Sequence, residues 1–369
     1  MIYFDSAATS FQKPPAVMAE VRHAMQTCAS VGRGGHRPAM NAAQTVFDCR
    51  EQAAELFDCE TEQIAFTMNA THALNIAIRT LVPAGGRVVL SGFEHNAVTR
   101  PLHALHAEQI VAGKTLFSPQ ETLEQFEKAL KTSPAAAVCT YVSNVFGYVL
   151  PIKGIAALCR LYGVPLIIDA SQAAGTLPVS LCQTGARFIA MPGHKGLYGP
   201  QGTGLLLCAD GAQPILFGGT GSASVEQDMP EFLPDRLEAG THNVPGIAGL
   251  GAGIRYVRMR TPEKILQKEQ MLAVFLQKQL APIERIRPFF GPSQSAVVSF
   301  VVEGEDCEEA AQKLARHGVA VRAGLHCAPL AHQSVGTIDS GTVRVSFSDF
   351  NTTQEIVTFA QICKKLFPN

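Results

Sequence analysis

Apolar residues in the middle of the chain fall into short unbroken runs separated by longer amphipathic stretches. The runs are "GRVVLSG" (86–92), "AAAVCTYVS" (135–143), "VPLIIDAS" (164–171), "RFIAM" (187–191) and "GTGLLLCA" (202–209). A strand covered on one face alternates apolar and polar, whereas one covered on both faces is apolar throughout. The runs therefore predict strands of a mainly parallel sheet. Between them, residues 152–162 ("IKGIAALCRLY") carry a helical period that Gly163 ends. Earlier, residues 39–57 predict a helix with Met40, Ala43, Phe47, Ala54 and Phe57 on its apolar face. Strands alternating with helices predict an α/β fold.

One long helical pattern follows Pro245 and runs to about residue 285. Beyond it come "SAVVSFVVE" (295–303), a helix near 306–316, "VAVRAG", "TVRVSFS" and a last helix, the pattern of a smaller α+β unit. We place a large domain at 13–255 and a small one at 256–369, to which residues 1–12 return. No internal repeat or low-complexity tract interrupts this plan.

Charge changes the picture only by exclusion. A formal net charge of −1 offers no basic surplus for phosphate backbones, so no nucleic-acid partner is expected. No apolar run approaches the roughly 18 residues of a membrane span. The opening "MIYFDSAATS" lacks a basic segment ahead of an apolar one, so it does not read as a secretory signal. A soluble, cytoplasmic protein is expected. The ten cysteines include no C-x-x-C pair, and most sit in apolar segments as buried thiols would. Cys327, in "RAGLHCAPLAH", stands apart among Gly, His and Pro.

Candidate chemistry collects at predicted strand ends, where open parallel sheets bind ligands. Asp169 closes "PLIID", Lys195 follows "RFIAM" in "PGHKGLYGPQGTG", and His95 follows "RVVL" in "SGFEHNAV". Singly, each has an ordinary explanation: a turn carboxylate, a solvated lysine, a packing histidine. Together, an amine, a carboxylate and a flat imidazole are what pyridoxal phosphate (PLP) requires. The amine binds the aldehyde, the carboxylate keeps the ring nitrogen protonated, and the imidazole stacks on the ring. "TMNATHALNIAI" (67–78) offers Thr71 and the free N–H groups of a helix start for a phosphate. A P-loop is excluded, because Lys195 follows "PGH" and precedes Gly196 rather than Ser or Thr.

With these residues the chain resembles the cysteine desulfurase branch of the class V aminotransferases, fold-type I PLP enzymes, and most of all its Suf-type and selenocysteine-lyase-like group. "YFDSAATSFQKP", "FTMNATHALN", "EHNAV", "VSNVFG", "IDASQAAG", "GHKGLYGPQGTG", "EAGTHN", "RAGLHCAP" and "VRVSFSDFNT" follow in the family's order across nearly the whole chain. The resemblance implies a seven-stranded large-domain sheet, a PLP cofactor and a homodimer with shared active sites. It implies that Lys195 binds the cofactor covalently and moves the substrate's Cα proton. Asp169 would pair with the ring nitrogen, Gln172 would reach the phenolic oxygen, and His95 would stack. Thr71, the backbone of His72, and His194 would bind the phosphate, and Thr241 the phosphate of the partner subunit. Arg344 would clamp the substrate carboxylate, with Asn144, Arg322 and Arg33 lining its pocket. Cys327 would take the sulfur of L-cysteine as a persulfide, release L-alanine and pass sulfur to an acceptor protein, as in iron–sulfur cluster assembly. Its thiolate would be favoured by Arg322 or His326 if either points at the sulfur.

Five positions depart from the family's pattern: Pro192 before "GHK", Ala70 beside Thr71, Gly196 as an added residue, Leu325 before His326, and Gly32 beside Arg33. They leave substrate and acceptor open. Alternatives are a selenocysteine lyase, a PLP aminotransferase or β-lyase that does not use Cys327, and a non-catalytic relative with no chemical need for Lys195 or Cys327. No metal site is expected, since His326, Cys327 and His332 lack a well-spaced fourth ligand.

Overall fold

In the chain, a computed structural model that describes residues 1–32 and 34–368, a short first strand β1 (Ile2–Tyr3) precedes the strands of a seven-stranded sheet. These are β2 (Ile64–Thr67), β3 (Arg87–Ser91), β4 (Glu108–Ala112), β5 (Ala136–Thr140), β6 (Leu166–Asp169), β7 (Phe188–Pro192) and β8 (Gly204–Cys208), in the order β2-β8-β7-β6-β5-β3-β4. Pairings among β4, β3, β5, β6 and β7 are parallel, while β8 runs antiparallel to β7 and β2. The unbroken apolar runs have a direct cause. Val89, Ile168 and Ile189 pack into one core layer, and Val88, Ile167 and Phe188 into the layer on the opposite face. Every residue of β5, β6, β7 and β8 is buried.

The Arg37–Phe57 helix forms where the periodicity predicts one, but its buried face differs. Met40 and Phe47 are exposed, whereas Ala54 and Phe57 are buried as expected, in an inward stripe with Ala39, Ala42, Val46, Cys49 and Ala53. Small residues win because the helix lies close against the Val244–Arg260 helix, where a Cβ on Gly251 would meet Cys49 at 3.4 Å. The pattern after Pro245 is two helices, Val244–Arg260 and Pro262–Leu280. Thr261, at φ 65°, breaks the first, and Pro262 begins the second at a position where its missing N–H costs nothing.

The remaining strands are β9 (Ile286–Phe289), β10 (Val297–Val302), β11 (Val319–Ala320), β12 (Arg322–Gly324) and β13 (Thr342–Ser346). An antiparallel sheet of order β12-β13-β10-β9 packs with the helices Pro262–Leu280, Cys307–Arg316 and Thr353–Leu366 over Phe300, Val343 and Phe359. Phe4 joins this core, β1 pairs in parallel with β11, and Asp5 bridges to Ser346. "VAVRAG" thus supplies two strands, in different sheets. Among the described residues no helix is long and apolar enough to cross a membrane.

Candidate active site

Parallel strands β3, β5, β6 and β7 send their carboxyl ends to one edge of the large sheet. There Lys195, Asp169, His95, Asn144, Thr71, His194 and Gln172 line a single cavity of about 220 Å³. Lys195 lies three residues beyond β7. Its turn is shaped by two backbones that nearly touch: a Cβ on Gly196 would meet the Ala174 carbonyl at 2.4 Å, and one on Gly175 (φ 92°) would meet Gly196 O at 2.2 Å. Gly196 is therefore required by this packing. The Lys195 amine has no ion-pair or hydrogen-bond partner among the described residues. Burial, partly offset by Asp169, lowers its pKa to about 8. A useful fraction of the amine is thus neutral and nucleophilic near neutral pH.

Asp169 ends β6, is buried, and accepts the Ser171 N–H on Oδ1 at 2.9 Å. His95 caps the Asn96–Ala104 helix; its Nδ1 accepts the Ala97 N–H at 3.0 Å, leaving Nε2 to carry the proton. Burial holds its pKa below the ordinary value, so the ring is a neutral flat surface. His194 is neutral too, lowered to about 4 by burial and by Lys195, with Nδ1 3.1 Å from the Thr9 hydroxyl. Gln172 reaches the cavity while its Nε2 donates to Ala7 O at 3.0 Å.

At the cavity's other end the Ala70–Leu81 helix begins. Its cap is Asn69, whose Oδ1 takes the His72 N–H at 2.9 Å. The backbone group expected at His72 is thus already used, and the uncapped N–H groups are those of Ala70 and Thr71. His72 faces away, lining a separate cavity of about 210 Å³ with Thr241. The chain's own Lys195 cavity does not include Thr241.

Cys327 lies three residues beyond β12 and is exposed. It and His326 have φ of 55° and 49°, two successive non-glycine residues in the left-handed region. Hydrogen bonds hold this turn to the cofactor-sized cavity: Asn96 N–H donates to Cys327 O at 2.7 Å and Asn144 Nδ2 to His326 O at 2.8 Å. Asn144 therefore serves the cysteine turn as well as the cavity wall. The His326 ring points inward, with Nε2 3.1 Å from both Thr342 O and Oγ1 and the ring stacked 5.8 Å from His332. Burial pushes its pKa down to about 2, so it brings no positive charge to the thiol. Arg322 is turned to Asp5. Among the described residues no His, Cys, Asp or Glu group is placed to hold a metal ion.

Arg344, on β13, is 2% exposed; its Nη1 donates to Asn144 O at 3.0 Å and its Nη2 to Asp5 Oδ1 at 2.8 Å. Arg33 lies outside the described residues. Three contributors escaped sequence reasoning. Asn69 could have been found as the cap three residues before His72. Lys13, which donates to Ser10 Oγ at 2.9 Å and Gly199 O at 2.8 Å, carries no motif beyond the opening segment. Asp5 stands in plain view in "YFDSAAT", but nothing local ties it to Arg344, 339 residues away.

The residues fit a phosphorylated pyridine aldehyde. An unpaired, partly neutral amine, a buried carboxylate and a neutral imidazole share one cavity with a helix start that has free N–H groups. Comparison with known proteins agrees. The "Aminotransferase class-V" family model matches residues 2–359. A probable cysteine desulfurase of Pyrococcus abyssi is 31% identical, over 99% of this chain and 94% of its own. The apo structure of a cysteine desulfurase from Thermococcus onnurineus NA1 superposes with a TM-score of 0.92 at 29% identity, covering 99% and 94% of the two chains. The Escherichia coli cysteine desulfurase CsdA, in an S-sulfonic acid form, gives 0.86 at 25% identity, covering 98% and 94%.

Proposed function

The chain belongs to the cysteine desulfurase family of class-V aminotransferases, and from that premise we propose that it converts L-cysteine to L-alanine and stores the sulfur as a persulfide on Cys327. The observation that carries this reading is the tie between the two reactive turns: the Cys327 carbonyl is bonded to Asn96, the residue next to His95.

PLP bound at Lys195 supplies an electron sink for a carbanion at the substrate's Cα. The residues do the rest. Asp169 would hold a proton at the cofactor's ring nitrogen, His95 would offer a flat neutral surface to its ring, and Thr71, His194 and the Ala70 and Thr71 N–H groups would hold its phosphate. Arg344 grips the substrate carboxylate with the planar fork that only a guanidinium offers. The Lys195 amine takes the Cα proton and later returns it. The Cys327 thiolate attacks the substrate sulfur; the new S–S bond forms as the Cβ–S bond breaks, the bonding pair stays on Cβ, and Cβ takes up the proton that the substrate thiol gives up, so that the carbon skeleton leaves as alanine. Exposure of Cys327 lets an acceptor protein collect the sulfur. In this reading the protein works in the cytoplasm as a homodimer, with Thr241 facing the partner's phosphate.

Alanine release from L-cysteine and L-selenocysteine tests this, comparing wild type with Cys327→Ala. The expected result is loss of cysteine turnover in the variant with selenocysteine turnover retained. No alanine from cysteine in wild type, or an equally fast variant, would overturn it in favour of other PLP chemistry.

A further inference from the structure

The register of the small sheet sets Arg322 directly opposite Arg344. Like charges so placed repel and weaken a strand pair. Burying one of them without a counter-charge is more costly still. Asp5 answers both problems. Its Oδ1 accepts from Arg344 Nη2 at 2.8 Å and its Oδ2 from Arg322 Nε at 3.2 Å, one oxygen for each guanidinium. It is the acid paired with either arginine among the described residues.

The backbone fixes this carboxylate in place. Asp5 bridges to Ser346, two residues from Arg344, and its carbonyl accepts from the Ala8 N–H at 3.0 Å and the Tyr3 hydroxyl at 3.2 Å. Two guanidiniums and one carboxylate leave one net positive charge. Arg344 meanwhile keeps a buried Nε–H without an acceptor, so its donors are not exhausted by the protein.

We infer that Asp5 sets the charge of the substrate-carboxylate subsite, cancelling one of two opposed guanidiniums so that the site accepts amino acids with one anionic group and rejects those with a second. This rests on the proposed role of Arg344 as holder of the substrate carboxylate. An amino acid with a neutral side chain, such as L-cysteine, brings one carboxylate to one uncompensated positive charge. A dicarboxylic amino acid leaves its second carboxylate without a cation and near that of Asp5, a like-charge contact that discriminates between ligands.

L-asparagine and L-aspartate are nearly isosteric and differ in that charge, so the ratio of their dissociation constants isolates it. Calorimetric titration of both into the PLP-loaded wild type, Asp5→Asn and Asp5→Glu is the test, with thermal unfolding of each protein recorded alongside. Wild type is expected to favour the amide. Asp5→Asn should move the ratio toward the acid by about tenfold or more. Asp5→Glu should restore the wild-type preference. Should Asp5→Asn fold poorly, Asp5→Ser tests the same loss of charge. An unchanged ratio with both ligands weakened equally would mean that Asp5 only anchors the chain, and would overturn the inference. Failure of L-asparagine to bind wild type, or of L-aspartate to bind Asp5→Asn, would overturn it too. Failure of the functional reading shows elsewhere, as absence of alanine from L-cysteine in wild type, and leaves the ratio measurable.

Discussion

Lys195 and Cys327 each lie three residues past the end of a strand, in segments rich in glycine and proline, yet the fold treats them oppositely. Lys195 follows β7, flanked on both sides by β6 and β8, and its turn is closed by glycine backbones in near contact. Cys327 follows β12, the edge of the small sheet, and is exposed at the surface of a turn made of two left-handed residues, of which His326 is buried. A strand's place in its sheet decides what lies beyond its end. An interior strand delivers its next residues among neighbouring turns, where water is excluded and an amine loses its proton more readily. An edge strand delivers them to the surface. That suits the proposed division of labour: proton transfer gains from enclosure, whereas a sulfur that must leave the protein needs access.

The largest test of the contrast concerns the enclosed amine. Lys195→Ala should cost at least about 10³-fold in alanine formation, the scale of a lost acid–base group together with the cofactor linkage. In cofactor-free wild type, the rate of imine formation with added pyridoxal phosphate should reach half its maximum near pH 8, since the neutral amine is the reactive form. The sign for stability follows from the same lowered pKa. Between about 8 and the ordinary 10.5 the unfolded chain holds a proton that the folded chain has released, so stability rises with pH in that window. Urea unfolding of wild type against Lys195→Met at pH 8 and pH 10 reads this; a half-point above pH 10 would place the amine in water.

Gly196→Ala is the next largest. Its Cβ would lie 2.4 Å from the Ala174 carbonyl, a backbone atom that cannot rotate away. A loss of about 2–3 kcal/mol is expected in denaturant unfolding, with weakened cofactor binding. The smallest effect should have the opposite sign. Cys327→Gly relieves a left-handed residue on an exposed turn and should raise stability by about 0.5–1 kcal/mol while abolishing persulfide formation. If both substitutions changed stability alike, the contrast between enclosed and exposed turns would fail.

Much of this was legible in advance where one residue type had one reason to be present. Five unbroken apolar runs marked five strands because both faces of the sheet are covered. The Ile64–Thr67 strand has only three apolar residues, Ile64 to Phe66, between Gln63 and Thr67, and Glu108–Ala112 begins with two exposed polar residues on the sheet's edge, so neither gives a long apolar run. The Arg37–Phe57 helix was visible, but only the C-terminal part of its inward face was, at Ala54 and Phe57. Bulky Met40 and Phe47 dominate the pattern, whereas close packing of two helices selects alanines.

By itself the sequence determined the alternation of strands and helices, and it placed Lys195, Asp169 and His95 at strand ends, because periodicity and turn residues are local properties of the chain. Only the tertiary structure decided that His326 faces inward and neutral, that Asn144 holds the cysteine turn, and that Asp5 sits between Arg322 and Arg344. Those outcomes depend on strand register and on which segments meet across hundreds of residues. Burial and charge pairing act at a few ångströms, and separation along the chain carries no record of them.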